Sequence, residues 1–293
     1  MIRRPPRSTQ GVSSAASDVY KRQCYYDKFT LPYRVPSMFN LKQFILSMAL
    51  MLVVLSCDAS ETKLRVMAAS SLTEAFNQIV QIFEAHNPDV NVHVEFAGSQ
   101  RLRYQLEFGA RADIFASADH RQMEPLIMAD LLDGSTSDFA SNVLVLIARS
   151  GGPVNAIDDL SLPGVKLVLA QSEVPAGKYS RQVLNNLSLK SPSFKENVLA
   201  NLVSEEPNVR NVTQKVALGE VDAGIVYRTD VITAHRKGNI EVIEFPKGTN
   251  VGAKYPIAVI KSSVEKALAK QFLDFVMSEP GQSVMADHGF NTP

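Results

Sequence analysis

Residues 64–83 read LRVMAASSLTEAFNQIVQIF. The first six, LRVMAA (64–69), form a short apolar run that predicts a buried strand. Leu72, Ala75, Phe76, Ile79, Val80 and Phe83 then recur at helical spacing and predict an amphipathic helix with one apolar stripe. A strand that runs through two serines straight into such a helix is the opening of a βαβ unit. Asn87-Pro88 stops the helix, and VNVHVEFA (90–97) supplies the next strand.

Outward from this unit the alternation continues. A helix is expected over 100–109, ending at Gly109, followed by the short run ADIFAS (112–117). VLVLIAR (143–149), VKLVLA (165–170), AGIVY (223–227), IEVIEF (240–245) and YPIAVI (255–260) are further strands, with helices over 121–131, 178–187, 209–219 and 264–277. Strands alternating with helices of about 10–15 residues predict α/β architecture with mostly parallel sheets flanked by helices. The strands are too many for one small sheet, and nothing repeats at a fixed period. Two lobes are expected, 63–143 with 256–293 forming lobe one and 144–255 lobe two. The chain would cross near Asn142–Leu144 and return near Lys254–Pro256.

The chain has 293 residues, 30 Lys+Arg against 30 Asp+Glu, 45% hydrophobic residues and no Trp. That is enough apolar material for sizeable cores, and it excludes a disordered chain, a collagen-like fibre and a strongly basic nucleic-acid binder. The two cysteines, Cys24 and Cys57, are too few for a disulfide framework.

The charges are unevenly spread. Residues 1–37 carry seven positives and two negatives, lack periodicity, and open with MIRRPPRSTQGVSSAASDVYKRQ. This opening resembles translated adapter sequence joined to a gene, so 1–37 is taken as a non-native or disordered leader, with a targeting arm as the other reading. Met38 then looks like a start. Lys42 and the apolar run FILSMALMLVVLS (44–56) make 38–56 a signal peptide, since 13 residues fall short of the roughly 20 that span a bilayer. The run ends in Val54-Leu55-Ser56-Cys57, a pattern like the bacterial lipobox, in which the cysteine is lipidated; cleavage near Ala59 is the alternative. Without residues 1–56 the chain has 22 positives and 28 negatives, net −6. Such a surface disfavours nucleic acid and anionic membranes. A lipidated Cys57 would leave no thiol for catalysis.

Several helices are expected to begin at small polar or glycine-containing turns directly after strands. Ser70-Ser71 precedes Leu72, with Glu74 placed as in a capping box; Ala97-Gly98-Ser99 precedes Gln100; Pro175-Ala176-Gly177 precedes Lys178; and Pro207-Asn208-Val209 opens the helix through Ala217. Each alone is an ordinary cap. Four such ends on two lobes facing one cleft would place unpaired N–H groups and positive dipole ends around an anion. Enzyme signatures fare worse. AGSQR around Ser99 lacks the second glycine of a nucleophile elbow, and the five histidines show no metal-site spacing. There is no P-loop and no G-x-G-x-x-G. Arg101 and Arg103 are expected on a solvated face, with contact to an anion as the other possibility.

AASSLTEAF (68–76), FAGSQRLRYQLEFGARADIFASAD (96–119), EVPAGKYSRQVL (173–184), NVRNVTQKVALGEVDAGIVYRTD (208–230) and YPIAVI (255–260) together resemble periplasmic molybdate-binding proteins, the receptors of molybdate ABC importers. The resemblance runs from about Lys63 to the C-terminus. It implies a two-lobed type II periplasmic binding protein fold and a periplasmic monomer, anchored to the membrane if Cys57 is lipidated. It further implies molybdate or tungstate as ligand, a membrane permease as partner, and neither cofactor nor catalysis. The oxyanion would be held by the hydroxyls of Ser71 and Ser99, the backbone amides of Ala176 and Val209, and the phenol of Tyr227. Gln100-Arg101 departs from the family pattern and could bring a cation near the pocket. A receptor for sulfate or another tetrahedral oxyanion is the nearest alternative; a secreted hydrolase using Ser71 or Ser99 is the alternative of another class.

Overall fold

The computed structural model describes residues 61–235 and 239–292. The leader, the signal peptide and Cys57 lie outside them.

The described residues form nine strands: β1 (Thr62–Ala69), β2 (Val90–Ala97), β3 (Ile114–Ala116), β4 (Ser137–Arg149), β5 (Leu167–Ala170), β6 (Leu202–Glu206), β7 (Ala223–Tyr227), β8 (Ile240–Glu244) and β9 (Gly252–Val259). The helices are α1 (Thr73–His86), α2 (Ser99–Glu107), α3 (Glu124–Met128), α4 (Pro175–Ser188), α5 (Phe194–Ala200), α6 (Val209–Ala217), α7 (Arg228–His235), α8 (Lys266–Met277) and α9 (Glu279–Asp287). The strands follow the order β2-β1-β3-β9-β4-β7-β5-β6, with β8 paired to β4.

β4 organises this sheet. Its first half pairs antiparallel with β9, from Ser137↔Ile257 to Val143↔Gly252. From Leu144 onward it pairs with β7, starting at Leu144↔Tyr227. One strand therefore changes partner, from β9 to β7, between Val143 and Leu144. Away from β4 the pairing is parallel, in β2-β1-β3 on one side and β7-β5-β6 on the other. β5 (LVLA) and β7 (AGIVY) are buried along their whole length, as strands covered by helices on both faces must be. β9 pairs with the first half of β4 from Gly252 and Ala253 onward, opposite Val143 and Asn142.

The crossover is packed with aromatic rings. Tyr255 of β9 meets Phe139, Tyr227 and Phe290 edge-on, at centroid distances of 6.3, 5.8 and 5.4 Å. In this way the hinge strands and the end of β7 share one core.

Two local expectations are corrected. Ser71 and Glu74 do not form a capping box: Ser70–Leu72 is a 3₁₀ turn, α1 starts at Thr73, and no side chain caps it. Ser71 and Glu74 are engaged instead by Tyr255 and Arg210. The helix expected over 121–131 is reduced to a 3₁₀ turn, His120–Gln122, and the short α3, since Pro125 can occupy only the first turn of a helix.

Candidate functional site

The turns that follow β1, β2, β5 and β6 converge on one small pocket with a cavity volume of about 10 Å³. Ser71, Ser99, Ala176, Val209 and Tyr227 all line it, beside Ala69, Ser70, Ala97, Gly98, Ala118, Val174 and Pro175. Each of the five is almost wholly buried. Apart from the Tyr227 phenol, no ionisable side chain borders this space.

Strand-to-helix geometry places the donors. α4 begins at Pro175, which has no N–H, and no side chain caps its first turn, so the following amides of Ala176 and Gly177 are available at the helix start. At α6, Asn208 accepts from Asn211 N–H at 3.0 Å and satisfies that amide, while Val209 opens the helix at the pocket wall. Ser99 is the first residue of α2. Its Oγ accepts from Ala118 N–H at 3.1 Å, which leaves the hydroxyl proton for another acceptor.

Ser71 is held by Tyr255 of β9, near the point where β4 changes partner. Asn142 accepts the Val143 N–H on Oδ1, and its amide nitrogen donates to Thr229 Oγ1 at 2.8 Å. Ser71 Oγ and Tyr255 Oη share a hydrogen bond of 3.0 Å in which either hydroxyl can donate; when Tyr255 donates, the Ser71 proton faces another acceptor. Burial holds the phenols of Tyr255 and Tyr227 far above the ordinary tyrosine range, so both remain neutral donors. Tyr227 Oη is buried and has no hydrogen-bond partner among the described residues. A buried hydroxyl left this way costs about 1–3 kcal/mol, which an acceptor in the pocket would recover.

Side-chain contacts bridge this space on both sides. Next to α6, Gln100 Nε2 donates to Pro207 O at 2.9 Å, and Arg210 Nε donates to Ser70 O at 3.1 Å while its terminal nitrogen pairs with Glu74. Next to α4, Gln122 Nε2 donates to Glu173 O at 3.1 Å, Arg121 pairs with Glu173, and Lys178 Nζ lies 3.8 Å from Asp119 Oδ2. Asp119 is itself buried but does not line the pocket.

Arg101 is exposed and is not among the pocket-lining residues. Arg103 pairs with Glu107 at 2.6 Å and sits 3.9 Å from the centre of the Tyr104 ring. Gln100 is the buried member of this group, and its side chain ties α2 to Pro207, before α6. Sequence reasoning missed Tyr255, Asn142 and Arg210. Arg210 stands directly after Val209 in NVRNV, the one signal that could have singled it out.

Asp230 is fully buried. Its Oδ2 accepts the Tyr227 N–H at 3.2 Å, and its Oδ1 lies 3.2 Å from Arg210 Nε, whose only proton goes to Ser70 O. The carboxylate thus has a charge beside Oδ1 without a hydrogen bond. Burial outweighs Arg210 and the Tyr227 amide, raising Asp230 from 3.8 to about 6. A raised folded-state value means that Asp230 contributes stability below about pH 4, and that this is lost as pH rises through about 6. Between those limits wild type should lose on the order of 3 kcal/mol relative to Asp230→Asn. Denaturant unfolding of both proteins at pH 4 and 7 checks this, and a constant difference would exclude the shift.

Strand-to-helix turns that meet at one pocket, in a sheet whose parallel parts are joined through β4, are an arrangement that suits a solute-binding protein. Residues 64–291 match the family of bacterial extracellular solute-binding proteins, and the chain belongs to that family. It is therefore an extracytoplasmic binding protein of transport. It is 39% identical over 230 residues to the molybdate-binding protein ModA of Mycobacterium tuberculosis H37Rv, covering 78% of this chain and 84% of the relative. In fold it is similar to the periplasmic molybdate-binding protein of Azotobacter vinelandii (TM-score 0.68, 24% identity, 78% of this chain and 99% of that one). The sulfate-binding protein SubI of M. tuberculosis H37Rv shares the fold equally (TM-score 0.70, 19% identity, 79% and 87%).

Proposed function

We propose that this protein captures molybdate, and tungstate with it, between its lobes and delivers it to the membrane permease of an ABC importer. The observation that carries this is the pocket where Ser71, Ser99, Ala176, Val209 and Tyr227 meet, with donors on every side and no charged side chain. Molybdate and tungstate are tetrahedral dianions that carry no proton at neutral pH. An all-donor site matches their lone pairs, whereas hydrogen phosphate brings a proton for which the pocket offers no carboxylate. Helix N-termini and hydrogen bonds to an ionised acceptor supply the attraction.

The division into lobes, 63–143 with the C-terminal segment and a second lobe from 144, belongs to the same proposal. Ser71 and Ser99 stand in the first, and Ala176, Val209 and Tyr227 in the second. A ligand bridging both favours the closed form, and the permease would recognise that form. No bond is made or broken. The protein works as a monomer, and lipidation of Cys57 would hold it at the membrane surface.

Tyr227→Phe tests the assignment. The variant keeps the ring and its packing on Tyr255 but removes the phenolic donor. It should lose about 1–3 kcal/mol of molybdate affinity in calorimetric titration; unchanged affinity would take Tyr227 out of the site.

A further inference from the structure

Arg210 stands beside three of the five pocket residues without lining the pocket. It follows Val209 directly at the start of α6. Its Nε–H donates at 3.1 Å to the carbonyl of Ser70, the neighbour of Ser71, and its terminal nitrogen pairs with Glu74 of α1. Its Nε is also 3.2 Å from Asp230, the carboxylate that accepts the Tyr227 N–H. Asp230 and Arg210 belong to the same lobe, so their contact survives opening and keeps the guanidinium aimed. Ser70 and Glu74 belong to the other lobe of the proposed division, so an opening of the cleft would part them from Arg210. With Glu74 and Asp230 both beside it, the guanidinium is fully countered and brings no net attraction for an anion.

We propose that Arg210 is the closure latch of this receptor, a positioning residue that fixes how long the oxyanion stays bound by joining Ser70 and Glu74 across the cleft. This rests on the oxyanion-receptor function proposed above. The latch requires the planar fork of arginine, which serves a carbonyl and a carboxylate together; the point charge of lysine cannot span both. A latch that forms after capture acts on dissociation more than on association.

Stopped-flow dissociation and calorimetry with molybdate on wild type, Arg210→Lys and Glu74→Gln test this. Both variants should release molybdate about tenfold faster, with association nearly unchanged and the melting temperature of the ligand-free protein kept. If attraction by charge were the role, Arg210→Lys would behave as wild type and Glu74→Gln would bind more tightly; either result overturns the latch. A dissociation rate unchanged in both variants, with wild type binding molybdate, also overturns it and leaves the receptor function standing. Absence of molybdate binding by wild type would sink both.

Discussion

Gly98→Ala is expected to lower oxyanion affinity about a hundredfold while the ligand-free protein folds and melts as before. A Cβ at this position would lie 2.4 Å from Pro207 O and 2.5 Å from the Gln100 side chain. Gln100 can swing aside, but Pro207 O is backbone and belongs to the opposite lobe. The backbone of Gly98 itself suits any residue, with φ −61 and ψ 134. The strain thus falls on closure and not on folding. Overpacking of this kind costs about 1–3 kcal/mol, and the Gln100–Pro207 bond is lost with it, so the closed state should weaken by close to the upper figure. Titration with molybdate, with thermal melts of the ligand-free protein beside it, checks the prediction. Wild-type affinity would show that the lobes do not approach this closely when the ligand is held.

Gly177→Ala should act on the fold itself. Its Cβ would sit 2.0 Å from Gln171 O and 2.3 Å from Ala170 O, both in the strand-to-turn segment that leads into α4. These are rigid carbonyls of the same lobe, and no opening of the cleft relieves them. The helix would have to lift off β5, carrying the Ala176 amide out of place. The expected cost is about 3 kcal/mol, or a fall in melting temperature of about 6–12 °C, together with loss of oxyanion binding. A variant that melts and binds as wild type would contradict the close packing of this turn. The two substitutions separate the roles of the two glycines, since Gly98 permits the lobes to meet and Gly177 permits one lobe to form.

Much of this was legible in the sequence because the site is made of short-range features. Ser71, Ser99, Ala176 and Val209 each sit where a strand turns into a helix, and that pattern is local. Tyr227 closes a fully buried strand, so its direction follows from the strand end. The elements that were missed carry weak local signals. Ser137–Asn142, the first half of the crossing strand, is polar, and its pairing with β9 is dictated by the far end of the chain. β6 (LVSEE) has an exposed Val203 and two glutamates, and it forms because β5 pairs with it. α9 opens with Glu279-Pro280-Gly281, residues that suggest a break; proline is accommodated there in the first turn and Ser278 caps it. Ser71 was placed in the right site for an incomplete reason, because its hydroxyl is oriented by Tyr255, 184 residues away. Arg210 was invisible for the same cause, since its partners lie 136 and 140 residues off.

The central claim is that a neutral, donor-only pocket between the lobes grips a fully deprotonated tetrahedral oxyanion. Calorimetric titration of the chain from Cys57 onward with molybdate, sulfate and phosphate near pH 7 tests it most directly. The account predicts one tight molybdate site per chain, with weak binding of sulfate and none of phosphate. Tight binding of phosphate, or of sulfate with none of molybdate, would contradict it.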